Sequence, residues 1–278
     1  MGMQVNTNIS ALNSYRNLSN TQNDLAKSLE KLSSGLRINH AADDAAGLAI
    51  SQGLQSQVGG LTVASRNAQD GISVIQTAEG SLSEVQTILQ RVRDLAVQSG
   101  NDSNNADSRA AISTEVTALG AELTRIGASA NFNGTKLLGA GGATLTFQVG
   151  GGSVAAEDQI SVTTTDVAAI GTTISGLAAT GFSSSANALN TIATLDTNIT
   201  AVSTARASLG AQQNRFESVI RNLAVSTENL TAAKSRITDT DMASEMVKYT
   251  RSNILAQAGT AMLAQANQGN QGVLQLLR

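Results

Sequence analysis

Leu82-Ser83-Glu84-Val85-Gln86-Thr87-Ile88-Leu89-Gln90-Arg91-Val92-Arg93-Asp94-Leu95-Ala96 carries two interleaved apolar rows, Leu82, Leu89 and Ala96 in one, Val85 and Val92 in the other. Alternating steps of three and four put both rows on one stripe of an α-helix. A repeat of seven keeps such a stripe against a partner helix over many turns and imposes a left-handed supercoil. The first row runs back through Ile75, Ala68, Leu61 and Leu54, so the spacing predicts one helix over about 45–99, stopped by Gly100-Asn101-Asp102.

Partner stripes lie further along the sequence. Leu195, Val202, Leu209, Phe216, Leu223, Leu230 and Ile237 repeat every seven residues, with Ile192, Ile199 and Ile220 between them and Arg206, Gln213 and Thr227 interrupting. Ile112, Val116, Leu119, Leu123 and Ile126 mark a shorter helix over about 105–127. Three stripes can bury one another, and each buried Leu or Phe is worth roughly 1.5–3 kcal/mol. Leu82, Leu89, Leu209, Phe216, Leu223 and Leu230 are the expected seam of this rod-like module.

The two ends carry weaker stripes. Leu18, Leu25 and Leu32 are seven apart, with Leu29 and Leu36 between them. At the other end Met242, Tyr249, Ala256, Leu263 and Leu277 fall on one row, with Asn270 in its gap, and Met246, Asn253, Thr260, Asn267 and Leu274 on a second. Polar residues on a seam weaken it and fix its register, and isolated helices of this kind are marginal without packing. Leu25, Leu29, Leu32, Leu36, Met246, Leu263, Leu274 and Leu277 are the expected contacts of a terminal coiled coil.

Both end stripes lose phase against their neighbours, at residues 37–44 and at Thr238-Asp239-Thr240-Asp241. Each break lies a similar distance from its own end, so the ends are expected to pair with each other. The expected organisation is 1–44 with 238–278 as a terminal module, 45–133 with 188–237 as a helical rod, and 134–187 as a small outer region. In that last stretch residues 144–149 and Ile160-Ser161-Val162-Thr163 read as two strands, Gly150-Gly151-Gly152 as their turn, and Ser183-Ser184-Ser185 as exposed loop. The expected fold is mainly α, an elongated helical bundle or coiled coil with a small outer region containing a β-hairpin.

Composition supports thin helical layers. Aromatics are 2% of the 278 residues, so the core must be built from Ala, Leu, Ile and Val, and the complete absence of proline permits long helices. A net charge of −3, with scattered basic residues, disfavours nucleic acid as partner. No apolar run reaches the ~20 residues of a membrane span, and Met1-Gly2-Met3-Gln4 does not open a Sec-type signal peptide. With no cysteine and one histidine, His40, neither thiolate chemistry nor a two-histidine zinc motif can be written, and no cofactor, metal or catalytic residue is expected. Asp43-Asp44 and Asp239/Asp241 read as helix caps rather than cation ligands.

The sequence resembles bacterial flagellins. The motifs are Val5-Asn6-Thr7-Asn8-Ile9-Ser10-Ala11-Leu12, residues 29–39 followed by Asp43-Asp44-Ala45-Ala46-Gly47-Leu48-Ala49-Ile50, residues 89–98, and Asn131-Phe132-Asn133-Gly134. Towards the carboxy terminus they are residues 210–215, Gln265-Ala266-Asn267-Gln268 and Leu276-Leu277-Arg278. The resemblance covers about 1–140 and 188–278. It departs at His40, where small or polar residues are usual, and at Asp94, where Glu is common, and the middle region is short beside many flagellins. It implies a subunit that self-assembles into the flagellar filament for swimming, secreted to the exterior by the flagellar type III system. It implies terminal helices in an inner antiparallel coiled coil, an export chaperone on the carboxy-terminal segment, and hook-associated and cap proteins as partners. A hook–filament junction protein and a non-polymerising helical adhesin are the competing readings.

Arg91 lies off the seam and Leu95 at its edge, one turn further on. An off-seam Leu beside an Arg reads equally well as a subunit contact and as a widening of the stripe beside Ala96. The resemblance adds that this stretch, with Glu115 on the next helix, contributes to filament contacts and is read by the vertebrate Toll-like receptor 5.

Overall fold

The computed structural model describes residues 7–276, and side chains as far as residue 268. Seven helices, α1 (Ile9–Ser34), α2 (Ala45–Ser99), α3 (Ala106–Ser129), α4 (Ala155–Asp158), α5 (Val167–Thr180), α6 (Ser185–Thr238) and α7 (Met242–Leu276), alternate with four short strands, β1 (Asn131–Phe132), β2 (Thr135–Lys136), β3 (Thr144–Gln148) and β4 (Gln159–Thr163). Residue contacts divide the protein into two compact units, 1–56 with 229–278, and 57–228. The divisions fall inside α2 and α6, not at the expected helix ends. Lys234 Nζ donating to Gln55 Oε1 at 2.5 Å shows the terminal packing continuing into the first turns of α2 and the last turns of α6.

The 57–228 unit holds the main core. Ala68, Ile75, Leu82, Leu89 and Ala96 on α2, and Leu195, Val202, Leu209 and Phe216 on α6, are buried in one cluster, as the seven-residue rows require. The two helices run antiparallel here: Arg93 Nε donates to Asp196 at 2.6 Å, and Arg206 to Glu79 at 2.6 Å. Arg206 interrupts the α6 stripe because α2 meets it with both Glu79 and Gln86, the latter 2.5 Å from Nη1. Leu223 is buried at the end of this seam. Leu230 is half-buried and falls in the other unit, which corrects its expected place in the rod.

Residues 134–187 are less of an outer appendage than expected. Strands β3 and β4 pair antiparallel from Thr144↔Thr163 to Gln148↔Gln159. Their connection is not a triple-glycine turn but a loop holding α4, braced where the Asp158 carboxylate accepts from the Gly152 and Val154 amides. The following stretch, for which the sequence pattern predicted no element, forms α5 (Val167–Thr180) against α3. Val167, Ile170, Ile174 and Ala178 give it a buried face at helical spacing, and Asp166 caps it by accepting from the Ala169 amide at 2.8 Å. A β-carbon at Gly171 would meet the Thr124 amide nitrogen at 2.6 Å, and one at Gly120 the Ser175 amide at 3.0 Å. Two glycines therefore let α3 and α5 approach backbone to backbone.

In the other unit α1 and α7 pair antiparallel, as the matching phase breaks predict. Asn8 Nδ2 donates to the Ala266 carbonyl at 2.9 Å, Ser28 Oγ to Glu245 Oε1 at 2.7 Å, and the Thr240 amide to the Gly35 carbonyl at 3.0 Å. Asp44 accepts from the Gly47 amide and Asp241 from the Ala243 amide, capping α2 and α7. Asp43 accepts from the Asn39 and His40 amides, closing the turn between α1 and α2.

Candidate interaction surfaces

The α1–α7 seam is built from one mainly large, apolar row and one mainly small or polar row on each helix. On α1, Leu18 is buried and Leu25 and Leu32 half-buried; the second row is Ser14, Thr21 and Ser28. On α7, Tyr249, Ala256 and Leu263 face inward, and the second row is Glu245, Ser252, Gly259 and Ala266. A β-carbon at Gly259 would lie 3.1 Å from Leu18 Cδ1, so the small row is what allows close approach.

Leu29, Leu36 and Met246 are corrected by the structure. Leu29 and Met246 sit one residue beyond the second rows, about 100° further round their helices, and are 49% and 50% exposed; Leu36 lies past the end of α1, in a bridge to Asp239, and is 37% exposed. Leu12, Tyr15, Met242, Val247, Ile254, Leu255 and Met262 are exposed as well. Met246, Val247, Thr250, Arg251, Ile254 and Leu255 line an open groove of about 470 Å3 along α7. Leu274 and Leu277 lie outside the residues whose side chains are described. The terminal pair thus buries one leucine row against small and polar residues and leaves a second set of large apolar side chains exposed, more than a finished globular surface carries.

Glu245 is the one charged residue buried in the seam among the described residues. Burial pushes its carboxyl up. The Ser28 hydroxyl and the Lys248 ammonium, 3.0 Å from Oε2, pull it down further, so the net value lies below the ordinary 4.5. As pH falls, the unfolded protein takes up this proton before the folded pair does. The stabilisation is full above the ordinary glutamate range and is lost as pH drops through the folded value. Thermal unfolding of the terminal pair, followed by circular dichroism, is expected to shift to lower temperature on acidification below about pH 4.5. Glu245→Gln should flatten that dependence; an unchanged slope in the variant would exclude Glu245 as its source.

On the 57–228 unit Arg91 of α2 and Glu115 of α3 come together. Arg91 Nη2 and Nε approach the same Glu115 oxygen, Oε1, at 2.7 and 2.9 Å, with both side chains about half exposed. Leu95 does not join that surface. It is 3% exposed, in the same cluster as Ile112 and Val116, because α3 covers that side of α2. The wider-stripe reading of Leu95 is the one the structure supports.

A model of the bacterial flagellin N-terminal helical region matches residues 5–142, and one of the flagellin C-terminal helical region matches residues 192–277. The chain belongs to the bacterial flagellin family. It is 51% identical to the flagellin of Halalkalibacterium halodurans over 276 residues, covering 99% of this chain and 100% of that one. It is 47% identical to the flagellin of Bacillus subtilis over 309 residues, and 45% identical to the flagellar filament 33 kDa core protein of Treponema phagedenis over 287, with the same coverage in both cases. The two matched flagellin regions contain α1 and α7, Arg91 and Glu115. Residues 143–191, with β3, β4 and α5, fall between them. Flagellins form a structural family, in agreement with the reading of the protein as a non-enzyme.

The inward row Ser14, Thr21, Ser28 holds no apolar residue and so leaves no mark in a hydrophobic pattern. The available signal was its own spacing of seven, in phase with Leu18, Leu25 and Leu32.

Proposed function

We propose that this protein is the structural subunit of the bacterial flagellar filament, secreted through the flagellar type III system and polymerised outside the cell for swimming. The observation that carries the reading is the outward apolar face of the terminal pair, from Leu12, Tyr15 and Leu29 on α1 to Met246, Ile254 and Leu255 on α7. In a lone molecule those side chains meet water. In a polymer of identical copies they gain neighbours, and the burial offsets the entropy of ordering two thinly packed helices. A head-to-tail contact repeated with a non-closing rotation makes a helical filament. The terminal pair is accordingly assigned to the filament's inner core. The test is to seed the purified protein with sheared filament fragments, then sediment it and examine the pellet by electron microscopy. Filaments are expected in the pellet; a protein that stays in the supernatant would favour a non-polymerising adhesin.

Further partners follow from the same reading. An export chaperone would hold the carboxy-terminal segment before assembly, shielding the α7 apolar face, and hook-associated and cap proteins would meet the polymer's two ends. The Arg91–Glu115 surface is the proposed contact for Toll-like receptor 5, with Leu95 holding its backbone from beneath. Losing a surface ion pair costs about 0.2–1 kcal/mol, so Arg91→Ala should fold normally and yet activate a receptor reporter more weakly. Full activation by both Arg91→Ala and Glu115→Ala would remove this contact from consideration.

A further inference from the structure

Asn133-Gly134 is the one Asn-Gly pair in the sequence. It forms the two-residue loop of the β1–β2 hairpin, whose pairs are Asn131↔Lys136 and Phe132↔Thr135. Both loop residues have positive φ, +48° at Asn133 and +82° at Gly134, and no other non-glycine residue among those described does. Two positive φ values make a type I′ loop, the turn whose twist matches a hairpin. Both residues are exposed, and the space where a β-carbon of Gly134 would point is open.

We infer that Asn133 is a site of covalent deamidation, and that in the folded protein the hairpin conformation holds its rate below the one the Asn-Gly sequence sets in the unfolded chain. The Gly134 amide loses its proton to hydroxide and its nitrogen attacks Cγ of Asn133, the carbon of the side-group amide. The Cγ–Nδ2 bond breaks, ammonia leaves carrying a proton from water, and a five-membered imide remains. Water then opens either imide carbonyl, giving aspartate or isoaspartate. Glycine favours the attack because no β-carbon shields its nitrogen.

The folded loop opposes it. Ring closure needs the Asn133 β-carbon and the Gly134 nitrogen on the same side of the Asn133 Cα–C bond. The left-handed conformation, with ψ near +47°, holds them on nearly opposite sides. Reaction therefore requires the hairpin to open first, and its rate follows the population of opened molecules. Either product harms the hairpin. Aspartate adds a negative charge to the lining of a cavity of about 210 Å3 that Asn133 shares with Asp70, Val74, Phe132, Leu145 and Phe147. Isoaspartate lengthens the backbone of a loop that has only two residues.

The full-length protein is to be held in mildly alkaline buffer, native and in denaturant, and conversion at each asparagine followed by peptide mapping and mass spectrometry. Conversion at Asn133 is expected to exceed that at other asparagines in denaturant and to be about tenfold or more slower in the native protein, where near-attack geometry is withheld. Equal rates in the two states would overturn control by the hairpin. Absence of conversion in denaturant would overturn the site. Gly134→Ala in denaturant should slow the reaction; an unchanged rate would exclude attack by the residue-134 nitrogen.

Discussion

Removing residues 1–36, or residues 245–278, is expected to abolish polymerisation outright while leaving a folded, helical protein. The large buried cluster from Ala68 to Phe216 lies wholly within 57–228, so neither truncation removes any part of it. On α1 and α7, by contrast, the buried residues among those described are few: Leu18, Ser28 and Glu245. Deleting one helix exposes the seam of the other and removes half of the outward apolar face. Hydrophobic burial is roughly proportional to area, so a polymer contact that needs both faces should not survive with one. The measurement is seeded sedimentation with electron microscopy, beside circular dichroism of the soluble fraction. Filaments from either truncated protein would sink the coupling of terminal folding to assembly.

Phe216→Ala is expected to destabilise the 57–228 unit by about 3–5 kcal/mol. Phe216 is fully buried and meets Phe147 of β3 edge-on, with ring centroids 5.6 Å apart and an interplanar angle of 88°. It is one of four phenylalanines in the protein, so the ring is a large share of the aromatic volume available to this core. Across the seam a β-carbon at Gly71 would lie 2.9 Å from Phe216 Cζ, which shows that α2 keeps a glycine there to admit the ring. Truncation leaves a cavity lined by α2, α6 and β3. Adding Gly71→Ala to the Phe216→Ala variant should recover about 0.5–1 kcal/mol, because alanine favours the helix and no longer clashes. Urea unfolding midpoints measure both changes. A loss below about 1 kcal/mol on Phe216→Ala would mean that the seam does not depend on this ring.

Where packing follows a repeat, the structure and the spacing agree. The rows Leu82, Leu89 and Leu209, Phe216 are buried as read, because a helix can sustain a seven-residue row only by keeping it on one side. Where a choice between adjacent rows decides the seam, they part. Leu29 and Met246 are the more apolar candidates, yet Ser28 and Glu245 face inward, since a closely spaced antiparallel pair rewards small side chains and a hydrogen bond across it. The helix α5 had its signal in Val167, Ile170, Ile174 and Ala178, but its Gly and Thr content carries poor helix propensity. Only contact with α3 makes that segment worth ordering.

The sequence alone determines the long helices, the pairing of the two ends and membership of a filament-forming family, because seven-residue periodicity and dense local motifs are properties of the polypeptide itself. Only the tertiary structure decides that Leu95 lies inside while Arg91 and Glu115 meet outside, and that the terminal pair turns Leu29, Leu36 and Met246 outward. Those outcomes depend on which neighbouring helix approaches, at what distance and from which side, and a one-dimensional pattern holds no record of that approach.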